Sequence, residues 1–231
     1  MCRFRRMGYA PSWMGATLVP TGVNPTGHTI TRNSPCLKTY APVVGITNPA
    51  SKNNILNALK EVPNIYYALA HGDAIAIQSG LGEWIYANDF YNAIPTPKVK
   101  GKFAFLGSCG AFDPVDEVKL DSLDEATKTS MNALNLLLGA HVVPDAFIKA
   151  YEVVVGFTKI PEMHDWTVSW EFIDTALAQL EAGDTVEHAF RYAAGEIGDC
   201  PNPIVEMMGH YKIAGDGQVR LVESDAGDNS G

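Results

Sequence analysis

Asn64-Ile-Tyr-Tyr-Ala-Leu-Ala70 runs straight into His71-Gly72-Asp73, and Phe103-Ala-Phe-Leu106 runs straight into Gly107-Ser108-Cys109-Gly110-Ala111. Each apolar run is short, free of charge and rich in β-formers, which predicts a strand covered on both faces. Strands of that kind belong to parallel sheets, and parallel sheets bind ligands at the carboxyl ends of their strands. His71 and Cys109 each occupy that end.

Working outward, Ala41 to Thr47 reads as another short strand, and Ser51 caps a helix that runs through Val62, with Ile55, Leu56 and Leu59 on one face. Residues 74–79 and 84–87 flank Gly80-Leu81-Gly82 and predict a small hairpin. Ser122-Leu-Asp-Glu125 is a capping-box pattern that opens a helix to about Leu138. Tyr151 to Phe157 predicts a further strand, and Trp166, Trp170, Ile173, Leu177 and Leu180 predict an amphipathic helix that Gly183 ends. Asp184 and Glu187 offer a second box before an alanine-rich helix to about Ile197, and 209–222 suggests a terminal hairpin turning at Gly215-Asp216-Gly217. Strands alternating with helices imply an α/β fold with right-handed crossovers.

The 231 residues divide into an irregular lead-in over 1–40, marked by Pro11, Pro20, Pro25 and Pro35, a folded domain over 41–222, and an acidic disordered tail over 223–231. With 46% hydrophobic and 19% charged residues the chain can bury a sizeable core. Its net charge of -9 argues against nucleic acid as a partner, since an acidic surface repels phosphates. Arg3, Arg5 and Arg6 form a short basic cluster, read as a solvated tail. No window reaches the ~18 apolar residues of a membrane span. The N-terminus has no continuous apolar core of the signal-peptide type, so a cytoplasmic location is expected. Cys2, Cys36, Cys109 and Cys200 are scattered without C-x-x-C spacing, which fits a reducing compartment and argues against a zinc site.

A thiol becomes a strong nucleophile only as its thiolate, and an imidazole in reach can take that proton and later return it to a leaving amine. A single histidine or cysteine at a strand end is more often structural than reactive. Both at equivalent ends of successive strands, beside Gly72 and Gly110, favour a catalytic pair. The glycines let a substrate approach backbone N–H groups able to stabilise an oxyanion. No metal or organic cofactor is needed for such chemistry. His28, His141, His188 and His210 are scattered and read as surface or capping residues.

The segments IYYALAHGD and FAFLGSCGAFD resemble the paired motifs of the caspase-like cysteine peptidases, the group of caspases, legumain, gingipains, separase and CHAT domains. The stretch from Val153 to Ala193 is similar to the region after the cysteine in bacterial and archaeal members, and the resemblance spans about residues 41–222. It implies a three-layer caspase-like fold: a mostly parallel central sheet with helices on both faces. By the same resemblance Cys109 is the nucleophile of a Cys-His dyad, and His71 is its general base and acid. The backbone N–H groups of Gly72 and Cys109 form the oxyanion hole, and no third side chain is assigned. The substrate is then a polypeptide, and a regulatory partner or homo-oligomer is compatible with the family. The Q-A-C-x-G signature of caspases is absent, so aspartate specificity is not implied. Asp113, Asp116 and Glu117 suit either a basic substrate residue or, more simply, a polar loop.

Two rivals compete. Gly107-x-Cys109-Gly110 also resembles the cysteine elbow of glutamine amidotransferases, with His164 as base, although the H-x-E partner is replaced by Trp166. A non-catalytic scaffold of caspase-like fold is the other.

Overall fold

The computed structural model of the chain describes residues 2–9, 50–112, 142–158 and 166–222. The expected strand at 41–47, the helix opening at Ser122, the loop with Asp113, Asp116 and Glu117, His28, His141, His164, most of the lead-in and the acidic tail lie outside these residues.

In chain order the described elements are α1 (Cys2–Arg6), α2 (Lys52–Leu59), β1 (Ile65–Leu69), β2 (Ala76–Gln78), β3 (Trp84–Tyr86), α3 (Ala87–Ala93), β4 (Gly101–Gly107), α4 (Val143–Ile148), β5 (Tyr151–Phe157), α5 (Trp166–Glu181), α6 (Val186–Ala193) and β6 (Tyr211–Gly215). The main sheet has the order β1-β4-β5-β6, with β1, β4 and β5 parallel and β6 antiparallel at the edge. The protein is therefore a mixed α/β structure around a mostly parallel sheet.

Period-two alternation divides the central strands between two cores. Phe103, Phe105, Val153 and Val155 face one side and meet Phe172 of α5 and Phe190 of α6. Ala104, Leu106 and Val154 face the other and meet Phe90 of α3 and Phe147 of α4. The aromatic rings interlock: Phe105 stands edge-on to Phe157 at 5.7 Å and stacks on Phe190 at 6.0 Å. Truncating one such ring costs about 3–5 kcal/mol, so this layer holds β4 firmly in place.

Ser51 caps α2 as expected, its Oγ accepting from Asn54 N–H at 3.3 Å. The helix stops at Leu59 rather than Val62, because Val62 turns to a left-handed φ of 43°. Residues of β1 are all half-buried, not covered on both faces, since β1 lies at the edge of the described sheet. The cap of α6 is Thr185, whose hydroxyl accepts from His188 N–H at 3.2 Å. Asp184 instead pairs with the His188 ring at 3.1 Å, and α6 ends at Ala193 rather than Ile197. No hairpin forms within 209–222. The β6 strand takes the open edge of β5, and Val219 O and Gly217 O cap the start of α6 by accepting from Val186 and Glu187 N–H.

The basic cluster is not a solvated tail. A five-residue helix has too few internal bonds to stand alone, so α1 depends on what it docks against. Phe4 and Met7 are buried in the first core, and Phe4 stands edge-on to Tyr67 of β1 at 5.7 Å. Arg3 grips both oxygens of Asp174 at 3.1 and 3.0 Å and reaches Glu181 at 2.9 Å. Arg6 also binds Glu181. Asp174 and Glu181 stand two turns apart on α5, on the same face, which matches the reach of the two arginines. Among the described residues no helix is long and apolar enough to cross a membrane.

Candidate active site

The register of β1 against β4 pairs Leu69 with Gly107. Two residues further on, the neighbouring chains reach His71 and Cys109. Strand spacing of about 4.8 Å separates the two backbones at the last pair, Leu69 and Gly107. Both residues are exposed at the carboxyl end of the sheet. Cys109 carries a thiol rather than a disulfide among the described residues. The two residues singled out in the sequence thus each follow, by two residues, the ends of neighbouring parallel strands.

The Cys109 loop is braced by close packing. Gly107 leaves room for Leu69 and Phe105; a methyl group there would collide with both side chains and with Ala68 O. Gly110 takes φ 86° and allows the sharp return in which Ala111 N–H donates to Ser108 O at 3.4 Å. Phe112 N–H then donates to Phe157 O at 2.9 Å, which ties the loop to the end of β5. The Phe112 ring lies over Gly156, where an added Cβ would come within 2.8 Å of it. Ser108 and Ala111 are buried on either side of the exposed Cys109.

The His71 loop is braced by hydrogen bonds. Asp73 Oδ1 accepts from Ile75 N–H at 2.8 Å and from Ala76 N–H at 3.2 Å, while Asp73 N–H donates to Ala76 O at 2.9 Å. His71 O accepts from Gln78 N–H at 2.7 Å. Between these bonds Gly72 faces Ile77 in an antiparallel bridge. The bonds of that bridge belong to the residues on either side, so the N–H of Gly72 points away from Ile77. Just before the loop, Ala70 N–H donates to Gly107 O at 3.3 Å, the last bond between β1 and β4. At residue 72 only glycine fits: φ is 156°, and a Cβ would lie 2.5 Å from Ala76 O and 2.8 Å from Ile77 Cα.

Asp73 is not a solvated turn residue. It is 4% exposed, a buried carboxylate at the base of the histidine loop. The acidic residue next to His-Gly was visible in the sequence; its burial was not, because no local pattern of residues reports it. His188 lies beside Asp184 and stacks on Tyr192 at 6.1 Å, and His210 lies in the turn before β6, where its carbonyl accepts from Thr158 N–H at 3.1 Å. Among the described residues no group of three or more His, Cys, Asp or Glu is arranged to hold a metal ion.

No protein-family model matches this chain, and no curated protein matches it in sequence.

Proposed function

We propose that this chain is a cysteine peptidase of caspase-like architecture, working through Cys109 and His71. The observation that carries the reading is the alignment of β1 with β4, which ends two adjacent parallel strands in an exposed histidine and an exposed cysteine. The N–H of Gly72, turned away from Ile77, would serve as the oxyanion donor. Helices over both faces of a mostly parallel sheet accord with the three-layer caspase-like fold.

In the reaction His71 takes the thiol proton and the Cys109 thiolate attacks the peptide carbonyl carbon. A C–S bond forms and the carbonyl π pair moves to oxygen, where the N–H groups of Gly72 and Cys109 stabilise it. The pair returns, the C–N bond breaks, and the amine leaves with the proton held on His71. Water then attacks the thioester while His71 accepts its proton; the C–S bond breaks, the acid departs and the thiol is restored. A reduced thiol is required throughout, which suits the cytoplasm.

The test is turnover of a fluorogenic peptide library. Cys109→Ala is expected to lower turnover by about 10^3-fold or more, and His71→Ala by about 10^2- to 10^4-fold. Cleavage that survives in Cys109→Ala would remove the mechanism.

A further inference from the structure

The β2–β3 hairpin stands outside the main sheet yet is fastened to the histidine loop by Gln78 N–H to His71 O at 2.7 Å and Asp73 N–H to Ala76 O at 2.9 Å. Along a strand, successive residues direct their backbone polar groups to opposite sides. Ala70 N–H points to β4. The carbonyl of His71 therefore points away from β4, and Gln78 lies on the side of His71 opposite Cys109. Gln78 in turn pairs with Trp84 across the hairpin. The order across this edge of the molecule is Cys109, His71, Gln78, Trp84.

The hairpin has two unlike faces. Ile77 and Ile85 point inward and are buried in the second core. Gln78 and Trp84, on the alternate face, are half-exposed. The Gln78 amide is turned to the hairpin tip, where it donates to Gly82 O at 3.2 Å. The nearby carboxylate of Glu83 is engaged, accepting from Lys52 N–H at 2.8 Å and from Ser79 Oγ at 3.4 Å. Of the residues on this face Ala76 is buried, so its accessible part is Gln78, Trp84 and Tyr86, with Lys52 Nζ 5.8 Å from the centre of the Tyr86 ring. This face continues from the proposed dyad in a defined direction. His71 gives its proton to the leaving amine, so the departing half of a peptide lies on the His71 side of the cleaved bond.

We propose that the outer face of the β2–β3 hairpin is the subsite for the leaving-group half of the substrate, with Trp84 as its specificity-determining residue. This rests on the cysteine peptidase reading above and deepens it. Two strand spacings separate Trp84 from the end of β1, about 10 Å, or roughly three residues of extended peptide. Trp84 accordingly receives an apolar or aromatic side chain about three residues past the cleaved bond and disfavours a carboxylate there.

Quenched peptides with a randomised segment before the cleaved bond, and either Phe or Asp at the third residue after it, test this. Wild type is expected to prefer the Phe series in kcat/KM by about tenfold or more, the range that one pocket contact supplies. In Trp84→Ala the ratio falls to near one, and Trp84→Phe restores most of it. Trp84→Thr, which keeps a strand-forming residue, gives the same loss and serves if the alanine variant does not fold. A wild-type ratio near one, or a ratio unchanged in Trp84→Ala and Trp84→Thr, overturns the subsite while leaving the peptidase reading in place. Absence of any Cys109-dependent cleavage in wild type overturns the peptidase reading, and the subsite with it.

Discussion

The two loops that end β1 and β4 carry equivalent residues but are held in opposite ways. The Cys109 loop is packed: Gly107 and Gly156 admit Leu69 and Phe112, and a single backbone bond ties Phe112 to Phe157. The His71 loop is bonded: Asp73 takes two N–H groups, and the hairpin adds two backbone bonds around Gly72. The difference follows from position. The β4 strand is buried between neighbours on both sides and can use shape alone, whereas β1 is half-buried at the edge of the described sheet and needs polar anchors. A packed loop fails through added volume; the bonded loop fails through a lost acceptor and, at Gly72, through a methyl group that meets backbone.

The largest effect is expected where volume meets backbone. In Gly72→Ala the new methyl group would meet Ala76 O and Ile77 Cα, neither of which can yield unless the hairpin opens, at a φ of 156° that alanine avoids. We expect a loss of about 2–3 kcal/mol in chemical denaturation together with loss of turnover. Gly156→Ala meets a movable ring as well as Leu106 O, so its cost is about 1–3 kcal/mol. Equal losses in the two variants would erase the contrast between the loops.

Next in size is Asp73→Ala, which strips two acceptor bonds from the histidine loop. Stability should fall by about 1.5–3 kcal/mol, the worth of hydrogen bonds to a charged group. If the proposed peptidase acts through the Gly72 loop that Asp73 braces, kcat should fall several-fold with KM nearly constant, and Asp73→Asn should recover most of the loss. A change confined to KM would show that Asp73 does not serve the transition state.

The smallest effect concerns α1, remote from both loops. Arg6 holds the Glu181 carboxylate below its ordinary value of 4.5; burial opposes this, and Arg3 adds to it. A lowered pKa in the folded state gives stability that is full above 4.5 and fades as the pH falls from there toward the lowered value. The difference in melting temperature between wild type and Glu181→Gln should therefore be present at neutral pH and close in acid. A constant gap would mean that Glu181 contributes by packing instead of charge.

Legibility in the sequence tracked the range of the forces involved. The strands β1, β4 and β5, the β2–β3 hairpin and helix α5 were readable because each is a local pattern: an apolar run, paired runs around Gly80 and Gly82, a helical stripe. What was misread depended on distant partners. The docking of α1 depends on Asp174 and Glu181, far along the chain from Arg3 and Arg6, and no local pattern announces it. The pairing of β6 with β5 depends on an open strand edge that exists only once the sheet is built. Thr185 and Asp184 are both good helix caps, and the contact of Val186 N–H with Val219 O selects between them. The placement of His71, Gly72 and Cys109 just past neighbouring strand ends was readable from the apolar runs. The burial of Asp73 and the direction of the hairpin beyond His71 were not, since no local pattern of residues reports either.

The central claim is that His71 and Cys109 act as one unit. The most direct test is the rate of Cys109 alkylation by a small uncharged electrophile across pH, in wild type and in His71→Ala. The account predicts that at neutral pH the wild-type thiol reacts about tenfold or more faster than that of His71→Ala, with the two rates converging in strong base where any thiol is ionised. Superimposable profiles in the two proteins would contradict it.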